Sequence, residues 1–362
     1  MTRIFRFSPE PFDRTGPCLI VSNHVTNWDP VLIAMSLRRK QAYFVASEHL
    51  FRKGRVTRIL TWLFAPISRG KGGASLDTVR ACLRHLREGD SVCLFAEGDC
   101  TWDGRSAGIF PATGKLVRNS GAALITYRFE GSYLTYPRWG GKLRKGKMTG
   151  RVVNVYEPEQ LREMTPQEIS EAVNRDIYVD AMEQQRQAPV RYRSKAPAEY
   201  LETALYLCPE CRRIGTLRSS GEYVRCSCGF TRQMTETGFF EPREPFEDVS
   251  AWDAWQQERL RELDFTRETA DGCLFGDGNM ILTRIENGHR EERAAAGRLV
   301  QYEDGFAIGE LRFPLAEVSG MAIIRTNMLV FTHHKVYYEL RAGDRRANLR
   351  KYLAVWQNAH SR

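Results

Sequence analysis

Cys18-Leu-Ile-Val21, running on into Ser22-Asn23-His24-Val25-Thr26-Asn27-Trp28-Asp29-Pro30, is the stretch that decides the fold. The apolar run after Gly16-Pro17 reads as a buried strand, and Pro30 opens a helix carrying Val31, Ile33 and Leu37. A buried strand that hands a short polar loop to a helix is a unit of an α/β sheet, and such sheets present reactive side chains at strand ends. A histidine placed there, His24, suits general-base chemistry near neutral pH, and a carboxylate five residues on, Asp29, can hold its other ring nitrogen. The competing reading makes Asp29 an N-cap before Pro30 and leaves His24 bonded to a loop carbonyl.

Strand and helix signals continue to alternate around this unit. Tyr43 to Ala46, Ser91-Val-Cys-Leu-Phe95 and Ala122 to Phe129 are further buried-strand runs, while Leu76, Val79, Leu83 and Leu86 recur at helical spacing and stop before Gly89. Near residue 165 a helix is signposted by Thr165 as cap, Pro166 at the first helical position and Glu168 completing a capping box, with Ile169, Val173, Ile177 and Ala181 on one face. Gln184 to Pro197 is polar, basic and holds two prolines, which is linker composition and places a boundary near residue 190. The expectation is an α/β domain over 1–190 with a mixed sheet flanked by helices.

Cys208-Pro-Glu-Cys211 and Cys226-Ser-Cys228-Gly229 lie fourteen residues apart, a two-knuckle arrangement able to set four thiolates around one tetrahedral ion. This looks like a zinc ribbon over 200–242; four thiolates leave no open position, so the zinc would be structural. The other reading is unligated buried cysteines, and rubredoxin-like iron is a second occupant of the same ligand set. Arg212, Arg213, Arg218, Arg225 and Arg232 surround the knuckles, but aromatic residues are sparse among them, and solvated charge is preferred to a nucleic-acid surface.

The last segment, 243–362, starts with a connector helix from Phe246 to Leu263 bearing Trp252, Trp255 and Leu260, then turns β-rich. Gly305 to Phe313, Val318 to Ile324, Met328 to Thr332 and Val336 to Leu340 read as strands, and Leu349, Leu353 and Trp356 as a closing helix. Strands followed by one helix suit a small pleckstrin-homology-like module. His333-His334 is expected not to share an ion easily, because neighbours in a strand point to opposite faces, and a turn position is the preferred reading.

The chain has 362 residues, 42% hydrophobic and 27% charged, with mean hydropathy −0.44, which excludes disorder and a multispanning membrane protein. The uncharged run from Ile59 to Ser68 is half the ~20 apolar residues of a spanning helix. The first residues, MTRIFRFSPEPFDR, lack the apolar stretch of a secretory signal, so no export is expected. A net charge of +9 favours anionic partners: nucleic acid, phospholipid surfaces or phosphorylated and carboxylated small molecules. Nine cysteines, five of them scattered at 18, 82, 93, 100 and 273, suit a reducing cytoplasm.

Four blocks in order resemble the glycerolipid (lysophospholipid) acyltransferase family over roughly residues 15 to 160. His24-x4-Asp29 resembles its first block and Ala65-Pro-Ile-Ser-Arg69-Gly-Lys71 the second, where the family places an acceptor-phosphate arginine. Leu94-Phe-Ala-Glu97-Gly98 resembles the third, and Ala123-Leu-Ile-Thr126 stands where the fourth, an apolar strand, belongs. The resemblance implies acyl transfer from acyl-CoA or acyl carrier protein to a hydroxyl of a lysophospholipid-like acceptor. His24 would be the base, Asp29 its orienting partner and Glu97 a site residue, with no covalent acyl-enzyme and no catalytic cofactor needed. The alternative role for Glu97 is an inward carboxylate paired with a buried arginine such as Arg69.

The third block departs from the family's Glu-Gly-Thr-Arg, continuing here as Asp99-Cys100-Thr101-Trp102-Asp103-Gly104-Arg105. Guanidinium matches phosphate oxygens and an acid repels them, so Asp99 and Cys100 argue against simple transfer of the glycerol-phosphate acceptor. Arg105, Lys115, Arg128 and Arg138 are the candidates to substitute in space, each with solvated surface charge as the plain alternative. Two class-level alternatives follow: a non-catalytic lipid-binding or scaffolding protein on this domain, and a thioesterase-like hydrolase. The absence of a Gly-x-Ser-x-Gly elbow speaks against a serine hydrolase. A peripheral place on the inner face of the cell membrane is expected. The basic helix of Val56, Ile59, Leu60, Leu63 and Phe64, itself equally readable as a core helix, and the cluster of Arg341, Arg345, Arg346, Arg350 and Lys351 beside Trp356 are the candidate docking surfaces.

Overall fold

The structure is a computed structural model and describes residues 2–38, 42–47, 66–69, 76–262, 272–286 and 290–360. The basic helix pattern of 52–64 lies outside the described residues. The chain divides into two compact units, Met1–Arg138 with Leu143–Arg193, and Trp139–Lys142 with Ser194–Arg362.

The first unit is built on seven strands: β1 (Phe7–Pro9), β2 (Cys18–Ser22), β3 (Ala42–Ser47), β4 (Ile67–Arg69), β5 (Ser91–Leu94), β6 (Ala123–Glu130) and β7 (Met148–Tyr156). Their order across the sheet is β1-β7-β6-β2-β5-β3-β4. From β6 to β4 every neighbour pair is parallel, whereas β7 runs antiparallel to β6, so the sheet is mixed. Parallel neighbours need crossovers, and the helices Asp29–Ala34, Leu76–Arg87 and Ala112–Ser120 lie in them.

All five residues of β2 are buried, as a central strand covered on both sides must be. Alternation then sorts its side chains. Leu19 and Val21 join Val92, Leu94 and Leu124 under the helices at 76–87, 112–120 and Pro166–Ile177, while Cys18 and Ile20 join Ile125, Leu32 and Ile33 on the opposite face.

Several expectations are corrected in this unit. Leu76 is 71% exposed and Val79 and Leu83 are half-buried; the helix buries the expected Leu86 together with Thr78 and Cys82. The Thr165–Glu168 capping box forms, but its helix stops at Ile177; Asp180 caps a separate helix, Ala181–Gln187, so Ala181 leaves the face of Ile169 and Val173. Part of the expected linker is therefore helical. Beyond it Tyr192 is buried, its hydroxyl donating to the Lys147 carbonyl 2.9 Å away.

In the second unit a four-stranded antiparallel sheet comprises β8 (Leu217–Ser220), β9 (Tyr223–Cys226), β10 (Thr231–Met234) and β11 (Phe240–Glu241). The helix Val249–Glu262 follows it, its Trp252 buried against Phe230 and Phe240. Seven antiparallel strands come next: β12 (Cys273–Glu286), β13 (Arg290–Tyr302), β14 (Gly305–Ile308), β15 (Leu311–Pro314), β16 (Val318–Ile324), β17 (Met328–His333) and β18 (Val336–Ala342). Gly305 to Phe313, read as one strand, is the hairpin β14–β15.

The closing helix, Arg350–His360, buries Lys351, Tyr352 and Val355 rather than Leu353 and Trp356. Of the five basic residues expected as a docking cluster, Arg346, Arg350 and Lys351 are engaged in ion pairs, while Arg341 and Arg345 are exposed. Lys351 Nζ lies 2.6 Å from Asp277, Arg350 pairs with Asp253, and Arg346 with Glu199 and Glu202. At the His333-His334 pair the expected turn forms, and it brings the two rings to one side. His334 leaves the strand with φ of +48°, and both imidazoles reach Glu317 Oε2, at 3.0 and 3.1 Å.

Candidate active site

The loop after β2 is folded around the Asp29 carboxylate. Fully buried, it accepts the backbone N–H of Val25 at 2.7 Å and of Thr26 at 2.9 Å on Oδ2, and the Thr26 hydroxyl at 2.7 Å on Oδ1. The helix it begins is preceded by Trp28, which makes no side-chain cap, so Asp29 turns back into the loop instead of capping. The same Oδ2 lies 2.9 Å from His24 Nδ1. A carboxylate only accepts, so Nδ1 carries the proton and Nε2 presents its lone pair.

The end of β5 supplies the opposite wall. Phe95 stacks on the imidazole with centroids 4.3 Å apart, and the Thr101 N–H donates to the His24 carbonyl at 3.1 Å. Glu97 is not paired with an arginine among the described residues. Its Oε1 accepts the His24 N–H at 2.8 Å and its Oε2 the Ala107 N–H at 2.6 Å, tying the loop of 97–107 to the strand end. Gly98 makes the turn at φ of +82°, a conformation that disfavours any side chain. Two residues on, the Cys100 Sγ lies 3.4 Å from His24 Nε2.

A cavity adjoins these groups, lined among others by Asn23, His24, Glu97, Thr101, Ser132 and Tyr133. The His24 side chain is 19% exposed, so the ring is reachable. Asn23 holds the cavity's floor by a reciprocal pair with the backbone of Phe129, at 3.1 and 2.8 Å. The Ser132 hydroxyl is buried and makes no hydrogen bond among the described residues. Burial opposes charging His24, yet its interactions with the Cys100 sulfur and the Asp29 carboxylate outweigh it and hold the ring's pKa well above 6.5. Burial pushes Glu97 up to about 7, against the pull of its two amide donors.

The cationic candidates divide. Arg138 comes closest to the dyad: its side chain is only 3% exposed, pairs with Asp99 at 2.5 Å, donates to the Cys100 carbonyl at 3.0 Å and lies over the Trp102 ring. Arg105 is turned to Asp180 at 2.9 Å, and Arg128 to Glu130 at 2.9 Å. Lys115 is exposed on the helix Ala112–Ser120. The backbone of Arg69 ends β4, and its side chain lies outside what is described.

Sequence reasoning passed over Cys100 as a site residue, along with Phe95, Asn23 and Ser132. Cys100 was legible only as a break in the third block; its meeting with a ring 76 residues away has no local signature.

In the second unit the four sulfurs of Cys208, Cys211, Cys226 and Cys228 lie within 4.8 Å of one another, with Cys208 to Cys228 and Cys211 to Cys226 each at 3.7 Å. A tetrahedron with Zn–S bonds of about 2.3 Å has edges of about 3.8 Å, so the set fits the ion. The knuckle turns are made by Arg212 at φ of +56° and Gly229 at φ of +102°, whose N–H groups return to the Cys208 and Cys226 carbonyls.

The solved structure of the 1-acyl-sn-glycerophosphate (LPA) acyltransferase PlsC from Thermotoga maritima is similar to this chain at 18% identity and a TM-score of 0.41, covering 53% of this chain and 78% of that one. No curated protein matches the sequence. The model of the family described as Acyltransferase matches residues 5–130, a span that contains the His24–Asp29 pair, Glu97-Gly98 and the strands that carry them. Residues 5–130 are therefore an acyltransferase-family domain.

Proposed function

We propose that the chain moves a fatty acyl group from a thioester, acyl-CoA or acyl carrier protein, to a hydroxyl of a lysophospholipid-like acceptor. The observation that carries this reading is a buried carboxylate fixing the tautomer of a reachable imidazole at the rim of a cavity, inside the family-matched span. His24 Nε2 takes the proton of the acceptor hydroxyl as its oxygen attacks the thioester carbonyl. The resulting imidazolium is stabilised by Asp29 and returns its proton to the departing sulfur. Because the buried Arg138 is neutralised by Asp99, phosphate recognition falls to Arg69 or to a cation further from the dyad.

The zinc reading belongs to the same proposal: Cys208, Cys211, Cys226 and Cys228 hold one structural ion, whose binding energy adds to the folding energy of their segment. A lipid acceptor supports a place at a membrane surface; among the described residues no helix is long and apolar enough to cross a membrane.

A second reading, a lipid-binding scaffold without turnover, is favoured by the contact of Cys100 with His24 Nε2, which occupies the position an acceptor oxygen needs. Incubating the purified protein with labelled acyl thioester and a panel of lysolipids separates the readings. Acyl-lipid that disappears in His24→Ala supports the transferase, retention without turnover the scaffold, and free acid a thioesterase.

A further inference from the structure

We propose that Glu317, His333 and His334 form a second zinc site, separate from the four cysteines and open to solvent.

Strand register brings the first two ligands together. Val318, which begins β16, pairs with His333, which ends β17, so Glu317, one position earlier in the chain, arrives beside His333. His333 also pairs with Val336 at the start of β18, which leaves His334 and Lys335 as a two-residue hairpin loop. Both loop residues have positive φ, +48° and +65°. A turn of that kind ordinarily takes Asn-Gly. Here it swings His334 out of the strand's alternation. Two neighbouring imidazoles that a continued strand would send to opposite faces meet instead, with ring centroids 4.0 Å apart.

The donor atoms stand at the spacing of a coordination sphere. His333 Nε2 lies 3.0 Å and His334 Nε2 3.1 Å from Glu317 Oε2, and the three ligand atoms all fall within 4.8 Å of one another. Ligands about 2.1 Å from a zinc ion stand about 3.0 Å apart at a right angle and about 3.4 Å apart at the tetrahedral angle, so shifts of a few tenths of an ångström close the set around the ion. Two imidazoles and a carboxylate are donor types that zinc accepts, and three protein ligands leave a position for water or a further ligand.

Exposure grades the ligands. The His333 side chain is 14% exposed and lies edge-on to the Phe313 ring, while Glu317 is 46% and His334 70% exposed. One ligand is fixed by packing, and the other two face solvent, where an ion can enter. Bound there, the ion ties the turn Leu315–Glu317 to the β17–β18 hairpin and stabilises the fold by mass action as free zinc rises. The plain alternative needs no ion: both rings donate an N–H to one carboxylate oxygen.

The test dialyses the purified full-length chain against micromolar free zinc and counts the metal taken up beyond what the chain already carries. Cobalt(II) is used in parallel, because thiolate ligands give it intense near-ultraviolet charge-transfer bands and a nitrogen–oxygen set does not; metal that brings those bands belongs to the cysteines. The expected result is one further ion per chain without thiolate bands, accompanied by a rise in melting temperature. His334→Asn, whose asparagine suits the positive φ, and Glu317→Gln, which keeps the shape and removes the charge, should each weaken that uptake by about 10-fold or more, a loss that follows even when an outer partner of a metal ligand is removed. Wild type that takes up no further ion at micromolar zinc overturns the site. So does uptake that is unchanged in both variants, which places the ion elsewhere, as at His85, Glu88 and Asp90. Because the extra ion is first read on unmutated protein, misfolding of a variant does not decide the outcome.

Discussion

Asp29 Oδ2 lies 2.9 Å from His24 Nδ1 while it also accepts the backbone N–H groups of Val25 and Thr26, so one buried oxygen both shapes the loop and aims the ring. Asp29→Asn keeps an acceptor oxygen for these three donors and removes the charge. Turnover is expected to fall by about 10²-fold or more with little change in melting temperature. Asp29→Ala orphans the donors instead and should cost about 1–3 kcal/mol for each buried group left unpaired. Kinetics and thermal unfolding of the two variants separate the roles.

The charge relationship sets the pH profile. Catalysis needs Nε2 unprotonated, and the folded pKa of His24 is raised, so kcat/KM should fall on the acid side with a midpoint above the ordinary histidine value of 6.5. In Asp29→Asn that midpoint moves down, because a source of the elevation is gone. For stability the sign runs the other way. His24 contributes most below its unfolded pKa, and the contribution fades as pH rises through the folded one. An acid limb that stays put in Asp29→Asn would contradict this coupling.

Glu97 shifts stability with pH in the same direction as His24. Its folded pKa of about 7 exceeds its ordinary value of 4.5 because of burial, so ionising it costs stability as pH rises between those two values. Glu97→Gln removes that slope but sets an amide NH2 against the N–H of His24 or Ala107, a loss of about 1–3 kcal/mol. Denaturant unfolding at pH 5 and pH 8 should show a smaller difference between the two pH values in the variant. Its turnover should drop as the loop of 97–107 loosens.

The parts of this architecture that rest on local patterns are legible in the sequence. Four apolar residues at 18–21 make a central strand, and Thr165 with Glu168 starts a helix, because burial and capping act over a few residues. The carboxylate five residues from His24 is readable for the same reason. What escaped is set by distant partners. Leu76 belongs to an apolar stripe by spacing yet faces solvent, since packing against β4 and β5 selects Thr78 and Cys82 beside the expected Leu86. The fates of Arg138 and Cys100 depend on ion pairing and loop closure across tens of residues, and helical Lys351 is buried where Asp277 meets it from strand β12. No window on the chain contains those pairs.

Metal removal is predicted to act through Trp252. This side chain is 1% exposed, its indole N–H donates to the Leu207 carbonyl at 2.9 Å, next to Cys208, and its ring packs edge-on against Phe230 and Phe240. Both phenylalanines belong to the segment that the four cysteines pin, where Leu217, Val224, Met234 and Phe239 are also buried. With zinc bound the cysteines act as a cross-link and the tryptophan pocket persists. Without it, four sulfurs about 3.7 Å apart lose the ion that neutralises their thiolates, and the segment opens. Purified protein should carry about one zinc per chain by elemental analysis. A strong chelator, or Cys226→Ser, should remove it, lower the melting temperature and red-shift the tryptophan emission, with added zinc reversing the chelator's effect. Protein that contains no metal, yet melts and fluoresces identically with and without added zinc, would show that the cysteines stand together unligated.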